Sequence, residues 1–281
     1  MFITGSVAEI EAFIFECKAA GKTIGFVPTM GALHQGHLSL VSTAKQKADI
    51  VICSIYVNPT QFNNSNDLKL YPRNVEADKK LLKENGCDLL FLPSDEVMYA
   101  DKNTITFDFA HLDKVMEGKF RPGHFSGVAL IVSKLFNITQ PTYTFFGQKD
   151  LQQLTIIKKL VKELLFKVEI ITVPIKREAN GLAMSSRNER LNEEEREEAK
   201  IFYTALNKAK AILKNNQSAE QAKQTIELLF QNHRAKLEYF EIVSDRDLLP
   251  KRKNYLSPDT VLCIAGFMGK VRLIDNMYIN P

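Results

Sequence analysis

Apolar positions along the chain follow two alternating periods, and that alternation predicts the fold before any chemistry enters. Residues 6–20 place Val7, Ile10, Phe13, Ile14 and Cys17 at helical spacing, with Gly21 as a stop. Thr23–Val27 reads as a short apolar strand, and residues 37–48 read as a helix. The unbroken β-branched run from Ile50 to Val57 has the character of a parallel strand covered on both faces. Residues 75–84 predict a charged helix ending near Gly86, and 88–92 predict the next strand. The alternation continues with a helix over 125–136, an exit at Pro141, a strand over 142–146, a helix over 151–165 and a strand over 167–173. Such strand–helix alternation implies an α/β fold, a Rossmann-like parallel sheet with helices on both faces. Ligands of such sheets sit beyond the carboxyl ends of the strands, which is where segments 28–37, 57–62 and 147–153 fall.

After about residue 175 the pattern changes. Asn192 before Glu193-Glu194-Glu195 predicts an N-cap and an acidic first turn. Helices then run to about residue 234, and apolar runs at 237–243, 260–267 and 271–274 close the chain. The expectation is therefore two domains. Residues 1–175 form the Rossmann-like ligand-binding domain, and residues 176–281 form a smaller α+β domain closing over the site.

Composition narrows the function classes. Of the 281 residues, 45% are hydrophobic and 25% charged, with a formal net charge of +4. That charge suits an anionic small molecule and gives no ground for a nucleic-acid partner. Cys17, Cys53, Cys87 and Cys263 are far apart and form no metal-like spacing, so buried free thiols are expected. No stretch reaches the ~18 apolar residues of a membrane span, and Met1–Ser6 lacks the basic start of an export signal. A cytoplasmic location with no membrane partner is the expectation.

Four segments carry candidate chemistry. In Gly25–His37, a strand passes through a glycine-bearing turn into a helix whose mouth holds His34 and His37. Helix N-termini attract anions through unpaired backbone N–H groups and the helix dipole. Imidazoles beside them can donate to phosphate oxygens, and a Cβ at Gly36 would keep a nucleotide off the backbone. The alternatives are capping or core histidines, or two metal ligands. In Tyr56–Phe62, Asn58-Pro59 ends the strand and leaves Gln61 at its carboxyl end, either as a ligand amide or as a solvated turn residue. In Gly147–Gln153, Gly147 admits close approach and Lys149 is a compact cation, while Asp150 could simply cap a helix. In Lys176–Asn188, Ser185 and Ser186 offer hydroxyls and Arg187 a planar cation, against the alternative of a polar linker. The basic loop Glu117–Phe125 adds Arg121 and His124 as candidate anion contacts or as exposed residues.

Taken together, PTMGALHQGH, YVNPTQF, YPR, RPGHFSGV, FFGQKDLQQL and GLAMSSRN resemble, in order, the motifs of the pantoate–β-alanine ligases, the pantothenate synthetase family. That family lies within the nucleotidyltransferases bearing HIGH- and KMSKS-type motifs. His34-Gln35-Gly36-His37 stands for the first and Met184-Ser185-Ser186-Arg187 for the second. The resemblance implies ATP-dependent condensation of (R)-pantoate with β-alanine through a pantoyl adenylate, releasing pyrophosphate and AMP. It assigns Met30, Gly31, Ala32, Leu33, His34, Gln35, Gly36, His37, Gly147, Gln148, Lys149, Asp150, Lys176, Met184, Ser185, Ser186 and Arg187 to ATP. His34, His37, Lys149 and Arg187 are the implied catalytic residues. Gln61 and Gln153 are assigned to pantoate and β-alanine, and Asp78 to a magnesium site. A homodimer is implied as well. Lys176 departs from the apolar residue usual in relatives, and Phe120 and Gly123 alter the loop around Arg121. Two other readings keep the histidine pair: a nucleotidyltransferase with a different acceptor, and a nucleic-acid-binding module related to tRNA synthetases.

Overall fold

The computed structural model describes residues 1–63, 68–101 and 103–280, and its packing divides the chain into two units. The first comprises Met1–Gly147 and Ile156–Val173, and the second Gln148–Thr155 and Pro174–Pro281. The short stretch 148–155 therefore groups with the carboxyl-terminal residues.

The first unit is built on six parallel strands: β1 (Phe2–Thr4), β2 (Ile24–Thr29), β3 (Ile50–Ile55), β4 (Leu89–Phe91), β5 (Tyr143–Gly147) and β6 (Glu169–Val173). Their order is β1-β4-β3-β2-β5-β6. The chain therefore builds outward from β2 in one direction through β3 and β4, and in the other through β5 and β6. The carboxyl end of β2 lies at this switch, the place where parallel sheets present ligands. β1 escapes sequence reading because three residues carry too little periodicity. It pairs with β4 from Phe2↔Leu89 to Thr4↔Phe91.

Neighbouring positions on the strands are buried alike, as continuous β-branched runs require. Phe26 and Val27, Ile52 and Cys53, and Leu89 and Leu90 are all inaccessible. Val27, Val51, Cys53, Leu90 and Phe145 share a core with Val41 and Ala44 of α2 (Gln35–Lys47) and Leu82 of α3 (Val75–Glu84). Helices α1 (Val7–Ala19) and α6 (His124–Thr139) contact each other, and α6 also contacts β2. Two short helices, α4 (Asp95–Met98) and α5 (Met116–Phe120), lie in the connection to α6. A longer helix, α7 (Leu151–Glu163), precedes β6. All four cysteines are buried, and none is in a disulfide.

The second unit carries the antiparallel sheet β7 (Lys236–Ser244), β8 (Thr260–Met268) and β9 (Val271–Tyr278). Helix α8 (Glu193–Glu198) starts at Asn192, whose side chain accepts from the Glu195 N–H at 2.8 Å while Glu195 accepts from the Asn192 N–H at 3.1 Å. Helices α9 (Ile201–Lys214) and α10 (Ala219–Gln231) bury Phe202, Leu206, Ile226 and Phe230 with Phe240, Leu262 and Ile264 of the sheet. Strand β9 runs four residues past the apolar stretch expected to end at Ile274, and its continuation includes the buried polar pair Asp275 and Asn276. No described helix is long and apolar enough to cross a membrane.

Candidate active site

The turn after β2 places the histidine pair at the mouth of α2. His34 is the N-cap of α2, and its Nδ1 accepts the Gly36 N–H at 3.1 Å. Nδ1 of His37, three residues on, accepts the His34 N–H at 3.3 Å. Backbone N–H can only donate, so both Nδ1 atoms carry lone pairs, and in the neutral rings the proton sits on Nε2. The rings lie 4.1 Å apart between centroids, two N–H donors held side by side. The capping alternative and the chemical reading thus describe the same geometry: capping sets the tautomer that makes each ring a donor.

The backbone of this turn corrects one expectation. The sequence predicts N–H groups standing open to an anion, but those of Gly31, Ala32, Leu33, His34, Gly36, His37 and Leu38 are engaged within the protein. Gly31 N–H donates to Thr29 Oγ1 at 3.2 Å, Ala32 N–H to Asp78 Oδ2 at 2.9 Å and Leu33 N–H to Asp78 Oδ1 at 2.8 Å. His37 N–H and Leu38 N–H both go to the His34 carbonyl. Gly31 takes φ +78°, and a Cβ on it would lie 2.9 Å from Asp78 Oδ2 and 3.0 Å from Ile55 Cγ2.

Asp78 stands in the first turn of α3 and is only 2% exposed. Both its oxygens accept backbone N–H groups, Oδ2 from Ala32 and Oδ1 from Leu33. Its observed work is to clamp the histidine turn. Among the described residues, no three His, Cys, Asp or Glu side chains gather into a metal cage.

Gln61 ends the turn Pro59–Gln61 after β3 and is buried. Its Nε2 donates to Met30 Sδ at 2.9 Å, which brings two sequence-assigned site residues together. Its carbonyl oxygen accepts from His124 Nδ1 at 2.7 Å and from Arg121 at 3.4 Å. The RPGH loop, read as a candidate anion contact, thus grips the Gln61 backbone. Helix α6 comes so close at Gly127 that a Cβ there would lie 2.5 Å from the Thr60 carbonyl oxygen. Asn58, read from sequence only as a strand terminator, is 1% exposed and donates to Gln61 Oε1 at 3.2 Å. Asn-Pro signals a turn so strongly that a second role for the amide leaves no trace in the sequence.

In the second unit, Gln148, Lys149 and Asp150 form a single 3-10 turn. The turn is tied down by Asn276, whose Nδ2 donates to the carbonyls of Gln148 and Lys149, both at 2.9 Å, and whose Oδ1 accepts from Gln148 Nε2 at 3.0 Å. The Lys149 ammonium lies 3.6 Å from Asp150 Oδ1, so Asp150 is its neighbouring countercharge. Gln153 lies in the first turn of α7. Asp275 pairs with Arg177 through bonds of 2.6 and 3.0 Å. Burial raises the Asp275 carboxyl above its ordinary value, and Arg177 opposes that shift.

Residues 176–184 fold back on themselves, with Met184 N–H donating to the Lys176 carbonyl at 3.0 Å and Arg177 bridging Ala183. Ser185 then caps the turn Ser186–Arg190 by accepting the Arg187 N–H at 3.3 Å. Asn188 is buried and bonds Glu178 Oε1 and the Ala183 carbonyl, which anchors the serine–arginine stretch. Asn58, Asn188, Asp275 and Asn276 are the supporting residues that sequence reasoning missed.

Known proteins resemble this chain along its whole length. A sequence model of the family described as pantoate-beta-alanine ligase matches residues 3–278. The pantothenate synthetase of Fervidobacterium nodosum is 45% identical over 281 residues, covering all of both chains. That of Phocaeicola vulgatus is 47% identical over 279 residues, covering 99% of each. The crystal structure of pantothenate synthetase from Thermus thermophilus superposes with a TM-score of 0.93 at 38% identity, covering 100% of both chains. A Francisella tularensis pantoate-beta-alanine ligase, solved with beta-gamma ATP and beta-alanine, gives 0.79 at 37% identity over 99% of this chain and 98% of its own. The chain belongs to the pantoate–β-alanine ligase family, the pantothenate synthetases.

Proposed function

We propose that this ligase joins (R)-pantoate to β-alanine in two half-reactions. In the first, a pantoate carboxylate oxygen bonds to the α-phosphorus of ATP. The bond from that phosphorus to the bridging oxygen breaks, and pyrophosphate leaves with the electron pair. In the second, the β-alanine amine attacks the acyl carbon of the pantoyl adenylate, the acyl–oxygen bond breaks, and AMP departs as the amine loses a proton. Charge builds on phosphate oxygens in the first step, and fixed donors aimed at it lower the barrier.

The observation that carries this reading is the tautomer of the paired imidazoles. With Nδ1 of His34 and His37 accepting backbone N–H groups, each ring presents N–H at Nε2, the polarity that phosphate oxygens require. Lys149, Ser185 and Arg187 offer an ammonium, a hydroxyl and a guanidinium, the groups that the family resemblance assigns to phosphate. Met30, Gly147 and Met184 are assigned to the nucleotide. Gln61 and Gln153 are assigned to pantoate, with Gln61 also serving β-alanine. The bound ligands of the Francisella tularensis relative support both nucleotide and amine as substrates. The described residues do not form a protein cage for magnesium. In this reading the ion arrives on the ATP phosphates as part of the substrate.

Isotope exchange between ATP and pyrophosphate tests the proposal. Exchange should require pantoate but not β-alanine, and AMP should appear with product only when β-alanine is added. His37→Ala should slow exchange by roughly 100-fold, the scale of losing one preorganised donor. Wild-type protein that shows no pantoate-dependent exchange would refute the two-step route.

A further inference from the structure

An amide side chain can present either a donor or an acceptor, and Gln61 needs one end chosen for it. The choice begins at Asn58. Its Oδ1 lies 3.3 Å from the Thr60 N–H, which can only donate, and its Nδ2 lies 3.1 Å from the Gly127 carbonyl, which can only accept. The Asn58 amide therefore has one possible orientation. Its Nδ2 faces Gln61 at 3.2 Å, so the Gln61 atom there must be Oε1. The Gln61 Nε2 is left pointing the other way, toward Met30 Sδ. A thioether is a weak acceptor, so this donor keeps most of its strength for a ligand oxygen.

The shortest bond in this chain of contacts comes from outside the turn. The Tyr99 hydroxyl donates to Asn58 Oδ1 at 2.6 Å, against 3.0 Å for Thr60 Oγ1 and 3.3 Å for the Thr60 N–H. Both Thr60 donors belong to the same turn as Asn58 and move with it. Among the described residues, Tyr99 alone ties the Asn58 oxygen to a separate element, the end of α4. Tyr99 is itself held in place. The Lys134 ammonium sits 4.3 Å from its ring centroid and also donates to the Met98 carbonyl. Its N–H donates to the Asp95 carbonyl at 2.7 Å, and the Asp95 carboxylate accepts from the Tyr56 hydroxyl at 2.7 Å.

We propose that Tyr99, which lies outside every motif read from the sequence, is a positioning residue that acts through Asn58 to hold the Gln61 amide with its NH2 toward the acid substrate. The proposal rests on the assignment of Gln61 to pantoate, whose carboxylate and hydroxyl oxygens are acceptors. Burial raises the Tyr99 phenol above the ordinary tyrosine value, so it remains a donor throughout the neutral range.

Tyr99→Phe removes the hydroxyl and keeps the ring under Lys134. The test measures pantoate-dependent ATP–pyrophosphate exchange in wild type, Tyr99→Phe, Gln61→Ala and the double variant, with thermal melts of each. Tyr99→Phe should raise the KM for pantoate about five- to tenfold, the worth of one hydrogen bond, and leave the KM for ATP within about twofold. In the Gln61→Ala background the same change should move the pantoate KM by less than about twofold, because the residue it acts through is gone. A second readout is independent of turnover. The side-chain amide resonances of Asn58 and Gln61 should shift, and their protons should exchange faster, in Tyr99→Phe. An unchanged pantoate KM, equal rises for pantoate and ATP, or the same penalty with and without Gln61 would overturn the relay. Wild-type protein lacking the exchange would instead overturn the parent assignment, so the two failures are distinct.

Discussion

Replacing Asp78 by Asn separates a structural clamp from a metal ligand. The carboxylate is buried and accepts the Ala32 and Leu33 N–H groups at 2.9 and 2.8 Å. Asparagine keeps the shape but offers only one oxygen, so one backbone N–H must face an NH2. Losing one charge-assisted hydrogen bond costs about 1.5–3 kcal/mol, and the orphaned buried N–H adds about 1–3 kcal/mol. A total near 4 kcal/mol corresponds to a fall in the melting temperature of the order of 10 °C for a unit of this size. The loosened turn carries the cap of α2, so the KM for ATP should rise as well.

The assay is thermal unfolding followed by a signal from the first unit, run once with magnesium and once with EDTA, alongside the magnesium dependence of exchange. A clamp predicts the same large drop in both buffers and an unchanged magnesium half-saturation. A ligand predicts the reverse, with little change in melting without metal and a raised magnesium requirement. Asp78→Asn melting within about 1 °C of wild type in EDTA while needing more magnesium would refute the clamp.

Two further outcomes follow from contacts elsewhere. Gly127→Ala would press a Cβ to 2.5 Å from the Thr60 carbonyl oxygen, all of it against backbone, so α6 must move off the Gln61 turn; a loss of about 1–3 kcal/mol in denaturant unfolding and a higher KM for pantoate are expected, and wild-type values for both would contradict the packing. Asp259 is bound by Lys251 at 2.9 Å and by the Ser257 hydroxyl at 2.6 Å, which hold its carboxyl far below the ordinary value. The unfolded chain then binds the proton more readily, so this contribution to stability is present above about pH 4 and disappears as pH falls through the native value. Denaturant midpoints of wild type and Asp259→Asn should therefore differ most above pH 4 and converge in acid, and a gap independent of pH would refute the assignment.

Much of the fold was legible because burial on two faces leaves no polar positions to blur the signal. The run Ile50–Ile55 reads as a strand with no help from its neighbours. The motifs that carry the family resemblance were equally legible because each is contiguous in the chain. What stayed hidden was support at a distance. Asp275 and Asn276 interrupt an apolar run and look like its end, yet β9 continues through them because Arg177 and the 148–149 carbonyls satisfy them. Asp78 is singled out only by the family resemblance, and its bonds to Ala32 and Leu33 leave no local pattern because those partners are 45 residues away or more. The turn amides mislead in the opposite direction: a glycine turn before a helix suggests open N–H groups, and only the structure shows Asp78 taking those of Ala32 and Leu33 and the histidine rings those of His34 and Gly36. Local spacing carries periodicity and capping, whereas a hydrogen bond between distant segments leaves no local pattern.

The spacing of the two histidines gains a physical reason from this. An N-cap side chain reaches the backbone two or three residues ahead, and the third helical residue reaches back to the N-cap N–H. Imidazoles at positions 34 and 37 satisfy that geometry through Nδ1, and the same three-residue separation leaves the rings 4.1 Å apart on one side of the helix mouth. Asn58 and Gln61 show the same logic in amides, also three residues apart, with one end of the pair fixed by Thr60 and Gly127. In each case a group that could be donor or acceptor has one end bound by backbone, and that binding decides what the other end presents. The orientation is set when the chain folds, so it need not be chosen again when an anion arrives. Donors held this way meet developing charge without first reorienting, which is the condition under which electrostatic stabilisation lowers a barrier.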